Sequence, residues 1–321
     1  MKSLIVGAGA IGQVYAYSLK KAGHQVFYYV KEKYREEVQG DQLLYPLNRR
    51  DPRREALTFK VDGVITTPAE VANTTWDQIY LCMSSTGLRG PWLQEFALSV
   101  KDATLIGLQS GAKDRAYLLQ YFRPEQIVMG MLSVISYHAP LPGEKVPGPG
   151  TAYWFPTFGP SPFSGSAQRV ADVVKDLNRG GYPAKIVADV SPLVAHPSGV
   201  LMCLISGLEL SDWSFKKFSD GPEIDLVSRA VKELIAMIEK TEGHKAPWPL
   251  KNCFGPNFVR TLMKVSPLVI PMDIETYLKV HFTKVGDQTR LYMQEYVNSA
   301  LESKQSCPSL IELTKNLIAL G

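Results

Sequence analysis

Cysteine is scarce in this chain and poorly spaced for chemistry. Cys82, Cys203, Cys253 and Cys307 lie far apart with no CxxC pair, so neither a zinc site nor a disulfide frame is implied, and their mostly apolar surroundings read as those of buried free thiols. No apolar run reaches the roughly 18 to 20 residues that a spanning helix needs. The opening Met1-Lys2-Ser3-Leu4-Ile5-Val6 runs into glycines rather than into a signal-peptide core. A cytoplasmic protein with no membrane partner is the expectation. A surplus of one charge is lacking too. Lys and Arg number 35 against 31 Asp and Glu, intermingled along the chain, for a formal net charge of +4, which does not argue for nucleic acid. Repeats and low-complexity tracts are also missing; Pro140 to Pro149, locally rich in Pro and Gly, reads as a loop.

What is present suits a globular protein. At 321 residues, with 45% hydrophobic and 21% charged side chains, the chain is too long for one small core and about right for two domains. Leu4-Ile5-Val6 reads as a buried strand and leads directly into Gly7-Ala8-Gly9-Ala10-Ile11-Gly12. Ile11, Val14, Tyr15, Leu19 and Ala22 then recur at helical spacing, Gly23 supplies a stop, and Val26 to Val30 forms a second apolar run. Strand, glycines, helix and strand together make the βαβ unit that a GxGxxG needs around it to carry meaning. In that context Gly7 permits the sharp turn, Gly9 lets backbone amides approach a pyrophosphate, and Gly12 lets helix and strand pack closely. The helix amino terminus presents its partial positive charge to the phosphates. Gly7, Ala8, Gly9, Ala10, Ile11 and Gly12 are therefore the predicted cofactor contacts.

The end of the second strand decides which nicotinamide cofactor is preferred, because an acid there accepts from ribose hydroxyls whereas a cation favours a 2′-phosphate. The residues are Lys31-Glu32-Lys33-Tyr34-Arg35. Lys31 follows the strand at once, with Lys33 and Arg35 in reach, so NADP(H) is expected; Glu32 argues the other way, and a merely solvated loop is the bland alternative. Further on, Ile79 to Met83, Thr104 to Leu108 and Ile127 to Met129 read as parallel strands buried on both faces. Ser84-Ser85-Thr86-Gly87 follows the first and Gln109-Ser110-Gly111 the second, and open α/β sheets place ligands at such carboxyl ends. Plain turn chemistry explains the same residues. Thr151 to Phe158 looks like additional strand extending the sheet, Ala167 to Asn178 like a helix, and Ala184 to Val187 like a last strand.

From about Val190 the pattern becomes helical. Ser198 to Leu210, Glu223 to Glu242 and Asp287 to Ser303 show apolar residues three and four apart. Ile224, Val227, Val231, Leu234, Ile235 and Ile238 form one stripe, as core packing demands. The boundary is put between an α/β Rossmann-type parallel-sheet domain, residues 1–188, and an all-α domain, residues 189–321, read as a substrate or dimerisation domain.

The glycine motif, the Gln109-Ser110-Gly111 turn and the helical second half together resemble ketopantoate reductase (2-dehydropantoate 2-reductase) and its relatives, over the whole length. The resemblance implies NADPH-dependent reduction of a branched 2-oxo acid, in a cleft between a Rossmann domain and a helical domain, by a protein that is often a dimer. It places the family's polar contact after the third main strand at Ser84, and the Asn of its QNG turn at Ser110. Its KLxxN stretch falls on Ser198-Gly199-Val200-Leu201-Met202, with Ser198 where the catalytic Lys is expected. Its late Glu falls near Asp287, beside Gln288. This is a divergent member by that reading, because no lysine occurs between Lys185 and Lys216.

Ketone reduction needs a proton for the developing alkoxide and a donor to hold its charge. His196, two residues before Ser198, reads either as that acid, oriented by Asp287, or as an ordinary capping or surface histidine beside Pro197. His138, at the end of the fourth main strand, has a similar double reading. His24, His244 and His281 look like surface histidines. Three functions stay open: an NADP(H)-dependent oxidoreductase acting on a 2-oxo acid or related small carbonyl compound, a non-catalytic NADP(H)-binding sensor or partner-binding protein, and an opine-type dehydrogenase using a histidine and an aspartate. No metal is expected.

Overall fold

The computed structural model describes residues 1–48, 55–157 and 159–320. Two compact units divide the chain, Met1–Val190 and Ser191–Gly321. The first contains strands β1 (Lys2–Val6), β2 (Gln25–Tyr29), β3 (Gln42–Pro46), β4 (Leu57–Phe59), β5 (Gly63–Ile65) and β6 (Gln78–Leu81). After these come β7 (Thr104–Gly107), β8 (Ile127–Gly130), β9 (Ile135–Ala139), β10 (Gly150–Trp154), β11 (Ser161–Gly165) and β12 (Ala184–Ile186). Its helices are α1 (Ala10–Lys21), α2 (Arg35–Gln39), α3 (Pro68–Ala72), α4 (Ser85–Leu88), α5 (Trp92–Ser99), α6 (Asp114–Leu118) and α7 (Ala167–Arg179).

Eight strands form the main sheet in the order β12-β11-β8-β7-β6-β1-β2-β5. From β8 to β5 every pairing is parallel. Strand β11 runs antiparallel to β8 and parallel to β12, so the sheet is mixed rather than wholly parallel. The central strands β6, β7 and β8 are buried at every residue, as the continuous apolar runs required, and each such Leu, Ile or Val contributes about 1.5–3 kcal/mol. Helix α1 buries Val14, Tyr15, Ala16 and Leu19 on one face. Tyr15 stacks on Tyr182 with ring centroids 4.6 Å apart. Its hydroxyl donates to that of Tyr182 at 2.9 Å, and Ser161 lies 3.1 Å beyond, so these buried phenols are satisfied.

Three sequence expectations are corrected in this unit. The aromatic segment beginning at Thr151 does not extend the main sheet. Strand β10 lies in a second sheet of order β4-β3-β10-β9, and Phe158, the last residue of the expected strand, lies outside the described residues. Its partner β3 is more than a hundred residues away, a pairing that local pattern does not reveal. His138 belongs to β9 of this second sheet rather than to a main strand. His24 is buried, not at the surface: Nδ1 lies 2.8 Å from the Ser3 hydroxyl and Nε2 3.3 Å from Asp176. Asp176 in turn accepts from Gln78, which accepts from Tyr80.

The second unit consists, among the described residues, of helices α8 (Ser191–Leu210), α9 (Phe215–Asp220), α10 (Glu223–Thr241), α11 (Trp248–Cys253), α12 (Pro256–Val269), α13 (Ile274–Lys284), α14 (Gly286–Glu302) and α15 (Pro308–Ala319). Helices α8, α10, α14 and α15 pack together, and the predicted stripe of α10 is buried from Ile224 to Ile238. The first helix starts at Ser191 rather than Ser198, with Pro197 inside it. An interior proline removes a hydrogen bond and costs about 3 kcal/mol; the burial of His196, Gly199, Val200 and Cys203 on either side of it offsets that. Helix α8 is long and apolar enough to cross a membrane, but 61% of its most apolar window is buried inside the protein, as in a core helix. Cysteine exposure is mixed: Cys203 and Cys307 are buried, Cys82 is half-buried and Cys253 is exposed, against the expectation for that last thiol.

Candidate functional site

The glycine turn sits at the carboxyl end of β1, between β2 and β6. Val6 pairs with Tyr29 on one side and Leu81 on the other, and the Gly7 amide donates to the Tyr29 carbonyl at 3.0 Å. Gly7 has φ +99°, and a Cβ on it would lie 2.7 Å from the Cys82 carbonyl oxygen, so both conformation and space demand glycine. At Gly12 a Cβ would meet the Gly7 carbonyl oxygen at 2.1 Å. Gly9 differs: nothing lies within 4 Å of the place its Cβ would take. That open space stands over the amino terminus of α1, whose N-cap is Gly9 and which no side chain caps. First-turn amides without a cap beside open space fit the diphosphate of a dinucleotide. Gln13 braces the turn, donating to the Ala8 carbonyl at 3.1 Å and accepting from Thr151 of β10 at 2.7 Å.

Charges beyond β2 are sorted by their partners. Arg35, expected within reach of a phosphate, turns inward. It donates to Glu32 at 2.9 Å, the Val64 carbonyl at 3.1 Å and the Thr66 hydroxyl at 2.7 Å, and it pairs with Glu70 at 3.3 Å. Glu32 also accepts from Thr66 at 2.5 Å, and these hydrogen bonds from Thr66 and Arg35 lower its carboxyl pKa. The acid that argued against a 2′-phosphate is thus already hydrogen-bonded. The Lys33 ammonium lies 4.8 Å from the centroid of the Tyr34 ring, and Lys31 is exposed at the start of the turn.

At the ends of β6 and β7 the predicted polar residues are drawn together. The Ser84 hydroxyl caps α4, accepting from the Gly87 amide at 3.1 Å. Gln109 is buried, and its side-chain amide donates to the carbonyls of Leu81 and Met83, both at 2.9 Å. Its side chain thereby braces the end of β6. Ser110 is half-buried in the same turn. A hollow of about 520 Å³ lined by Lys2, Gly23, Gln25, Thr74 and Asp77 opens at the amino ends of β1, β2 and β6, away from where such sheets bind ligands.

In the helical unit the expected His196–Asp287 pair is not formed. His196 is fully buried in α8, with Nε2 2.8 Å from the His244 carbonyl and Nδ1 without a hydrogen-bond partner among the described residues. The carboxylates whose charge it feels are Glu239 and Glu242 of the α10 end. Asp287 is exposed at the start of α14, accepting from the Gln288 amide at 2.8 Å. Ser198 instead hydrogen-bonds Tyr296 of α14. Tyr296 is buried, which drives its pKa upward; a residue ninety-eight positions away in the chain was beyond the reach of local pattern. His281 is half-buried and stacks on Tyr277, with burial pushing its pKa down to about 4, so it too departs from the surface expectation. No group of His, Cys, Asp or Glu suited to a metal ion occurs among the described residues.

Residues 3–146 match the family model described as Ketopantoate reductase PanE/ApbA. No curated protein matches the chain by sequence. Among solved structures, D-mandelate dehydrogenase with NADH and anilino(oxo)acetate shares the fold at a TM-score of 0.75 and 16% identity, covering 99% of this chain and 97% of that one. A PanE/ApbA family ketopantoate reductase from Ralstonia eutropha JMP134 gives 0.73 at 16% identity, covering 99% and 98%. A 2-dehydropantoate 2-reductase from Methylococcus capsulatus gives 0.67 at 16% identity, covering 100% and 96%. The chain is thus ketopantoate reductase-like in sequence over residues 3–146 and in fold over its length.

Proposed function

We propose that this ketopantoate reductase-like chain is an oxidoreductase that uses NADP(H) to reduce the ketone of a 2-oxo acid or a related small carbonyl compound. The observation that carries the reading is the open space over Gly9 at the uncapped start of α1. There Gly7, Ala8, Gly9, Ala10, Ile11 and Gly12 hold the diphosphate by backbone amides and by the helix's positive end. Lys31 takes the 2′-phosphate. Support for that choice comes from Glu32 and Arg35, which hydrogen-bond each other and leave Lys31 as the exposed cation nearest the end of β2. Ser84, Gln109 and Ser110 line the carboxyl ends of the neighbouring strands.

A nicotinamide cofactor held by the turn from Gly7 to Gly12 would supply the hydride for the carbonyl carbon. The chain's own part is to deliver a proton to the oxygen that becomes an alkoxide. Ser198, in the place where the resemblance puts an ammonium, is the hydroxyl we assign as hydrogen-bond donor to that oxygen, passing on a proton that solvent supplies. The substrate class is supported by the D-mandelate dehydrogenase of like fold, whose structure holds NADH and anilino(oxo)acetate.

A second reading, dinucleotide binding without turnover, is favoured by one observation: no lysine lies between Lys185 and Lys216. One experiment separates the readings. NADPH and NADH are titrated by fluorescence, and oxidation is then followed across a panel of 2-oxo acids with and without added amino acids. Turnover of a 2-oxo acid alone supports the reductase, whereas a requirement for an amine supports opine-type condensation. Tight binding with no oxidation anywhere leaves the non-catalytic reading, and no binding of either cofactor rejects both.

A further inference from the structure

A buried carboxylate joins the loops that follow β6 and β7. Asp114 opens α6, and its side chain has no solvent exposure. One of its oxygens accepts from the Ser85 hydroxyl at 2.6 Å and from the Gly111 amide at 2.8 Å. The other accepts from the Arg89 guanidinium at 2.7 Å. Ser85 opens α4 directly after the β6–α4 connection and Arg89 follows the end of that short helix, whereas Gly111 belongs to the β7–α6 turn, so one side chain ties two segments that are separate in sequence. Arg89 is itself held, donating to the Ser85 carbonyl at 3.0 Å and lying over the Tyr117 ring at 5.4 Å. The β6–α4 loop also borders the glycine turn: a Cβ on Gly7 would lie 2.7 Å from the Cys82 carbonyl oxygen and 3.9 Å from the Met83 Cβ.

A buried ion pair is a poor way to gain stability, because desolvation offsets most of the attraction and apolar residues of like volume serve as well. Directional bonds to three donors on two loops instead set the distance between those loops. Gln109 makes a second tie at the same level, from β7 to the Leu81 and Met83 carbonyls, but it reaches only the strand end. Asp114 reaches past it, to the residue beside Ser84 and to the one beside Ser110.

We infer that Asp114 is a positioning residue for the dinucleotide: through Ser85, Arg89 and Gly111 it holds the Ser84–Gly87 and Gln109–Gly111 turns at the separation that lets both face a ligand seated on the glycine turn. The inference rests on the reading of that turn as an NADP(H) site. Asp114 touches no ligand itself; it acts through the loops.

The test compares wild type, Asp114→Asn and Ser85→Ala by two readouts. Hydrogen exchange of the cofactor-free protein reports the loops, and NADPH fluorescence titration reports the site. Loss of a charge-assisted bond is felt as roughly tenfold or more in binding. Asp114→Asn is therefore expected to speed exchange in both loops while the strands stay protected, and to weaken NADPH binding by about that factor. Ser85→Ala, which removes one bond and keeps the ion pair, is expected to weaken binding by about two- to fivefold on the same scale. Exchange confined to one loop, or NADPH affinity within about twofold of wild type in Asp114→Asn, overturns the inference while leaving the cofactor reading intact. Should Asp114→Asn fail to fold, unchanged loops and affinity in Ser85→Ala overturn it equally. Failure of the wild type to bind NADPH or NADH rejects the cofactor reading and removes this one with it.

Discussion

The Gly7 carbonyl oxygen occupies the space that a side chain at Gly12 would need: a Cβ there would fall 2.1 Å from it. The first and last glycines of the motif are thus in mutual contact, and the middle one alone faces open space.

Two alanine substitutions should therefore behave differently. Gly12→Ala forces backbone to move and, by the usual scale of overpacking, lowers stability by about 1–3 kcal/mol. Gly9→Ala leaves the melting temperature close to wild type, because nothing lies within 4 Å of the added methyl, yet it places that methyl where the diphosphate would sit. The expected result is near-native melting with at least roughly tenfold weaker NADPH binding, a steric loss of about 1.4 kcal/mol or more. Thermal melts and fluorescence titrations on the two proteins check it; normal binding by Gly9→Ala would count against the site.

Lys31→Ala should separate the two cofactors. A charged hydrogen bond contributes about 1.5–3 kcal/mol, so NADPH affinity should fall by at least roughly tenfold while NADH affinity stays constant. Calorimetric titration with both coenzymes decides, and an equal loss for both would remove Lys31 from the 2′-phosphate site.

Acid should loosen the segment that organises the end of β2. The Glu70 carboxyl is held down to about 2 from 4.5, first by the Thr66 amide and then by the Thr67 hydroxyl, the Thr67 amide and Arg35. A depressed carboxyl contributes stability that is complete above the unfolded value and is lost as pH falls through the folded one. The window thus runs from about 4.5 down to about 2. Over that window the melting temperature of wild type should fall more steeply than that of Glu70→Gln, and parallel curves would show that Glu70 is not linked to folding.

Removing Ser198 should be felt through Tyr296. In Ser198→Ala the buried Tyr296 hydroxyl loses the partner that the structure gives it, which costs about 1–3 kcal/mol. Adding Tyr296→Phe to that background should be nearly neutral in stability, since no partner is left to lose. A double-mutant cycle by denaturant unfolding measures the coupling; additive effects would show that the two hydroxyls act separately.

Much of the fold could be read along the chain because its signals are local. The run from Leu4 to Val30, the stripe from Ile224 to Ile238 and the helices α7 and α14 follow from periodicity and glycine placement, and the structure has each within a residue or two. The misses were of another kind. Apolar spacing places the first helix of the second half at Ser198 to Leu210, yet α8 begins at Ser191 and runs through Pro197, with buried residues on both sides of it. Strand β10 looked like more of the main sheet, because nothing near Thr151 announces that its partners are Leu44 and His138.

By itself the sequence determined the glycine turn, the βαβ unit around it and the change to helices near Val190, since these depend on residues a few positions apart. Only the tertiary structure decided the state of each polar side chain: that His24 is buried beside Asp176, that Arg35 is bound to Glu32, that His196 misses Asp287, and that Ser198 has Tyr296 as its partner. A hydrogen bond needs its two atoms about 3 Å apart in a fixed direction, and which distant residue satisfies that condition is known only when the chain has folded.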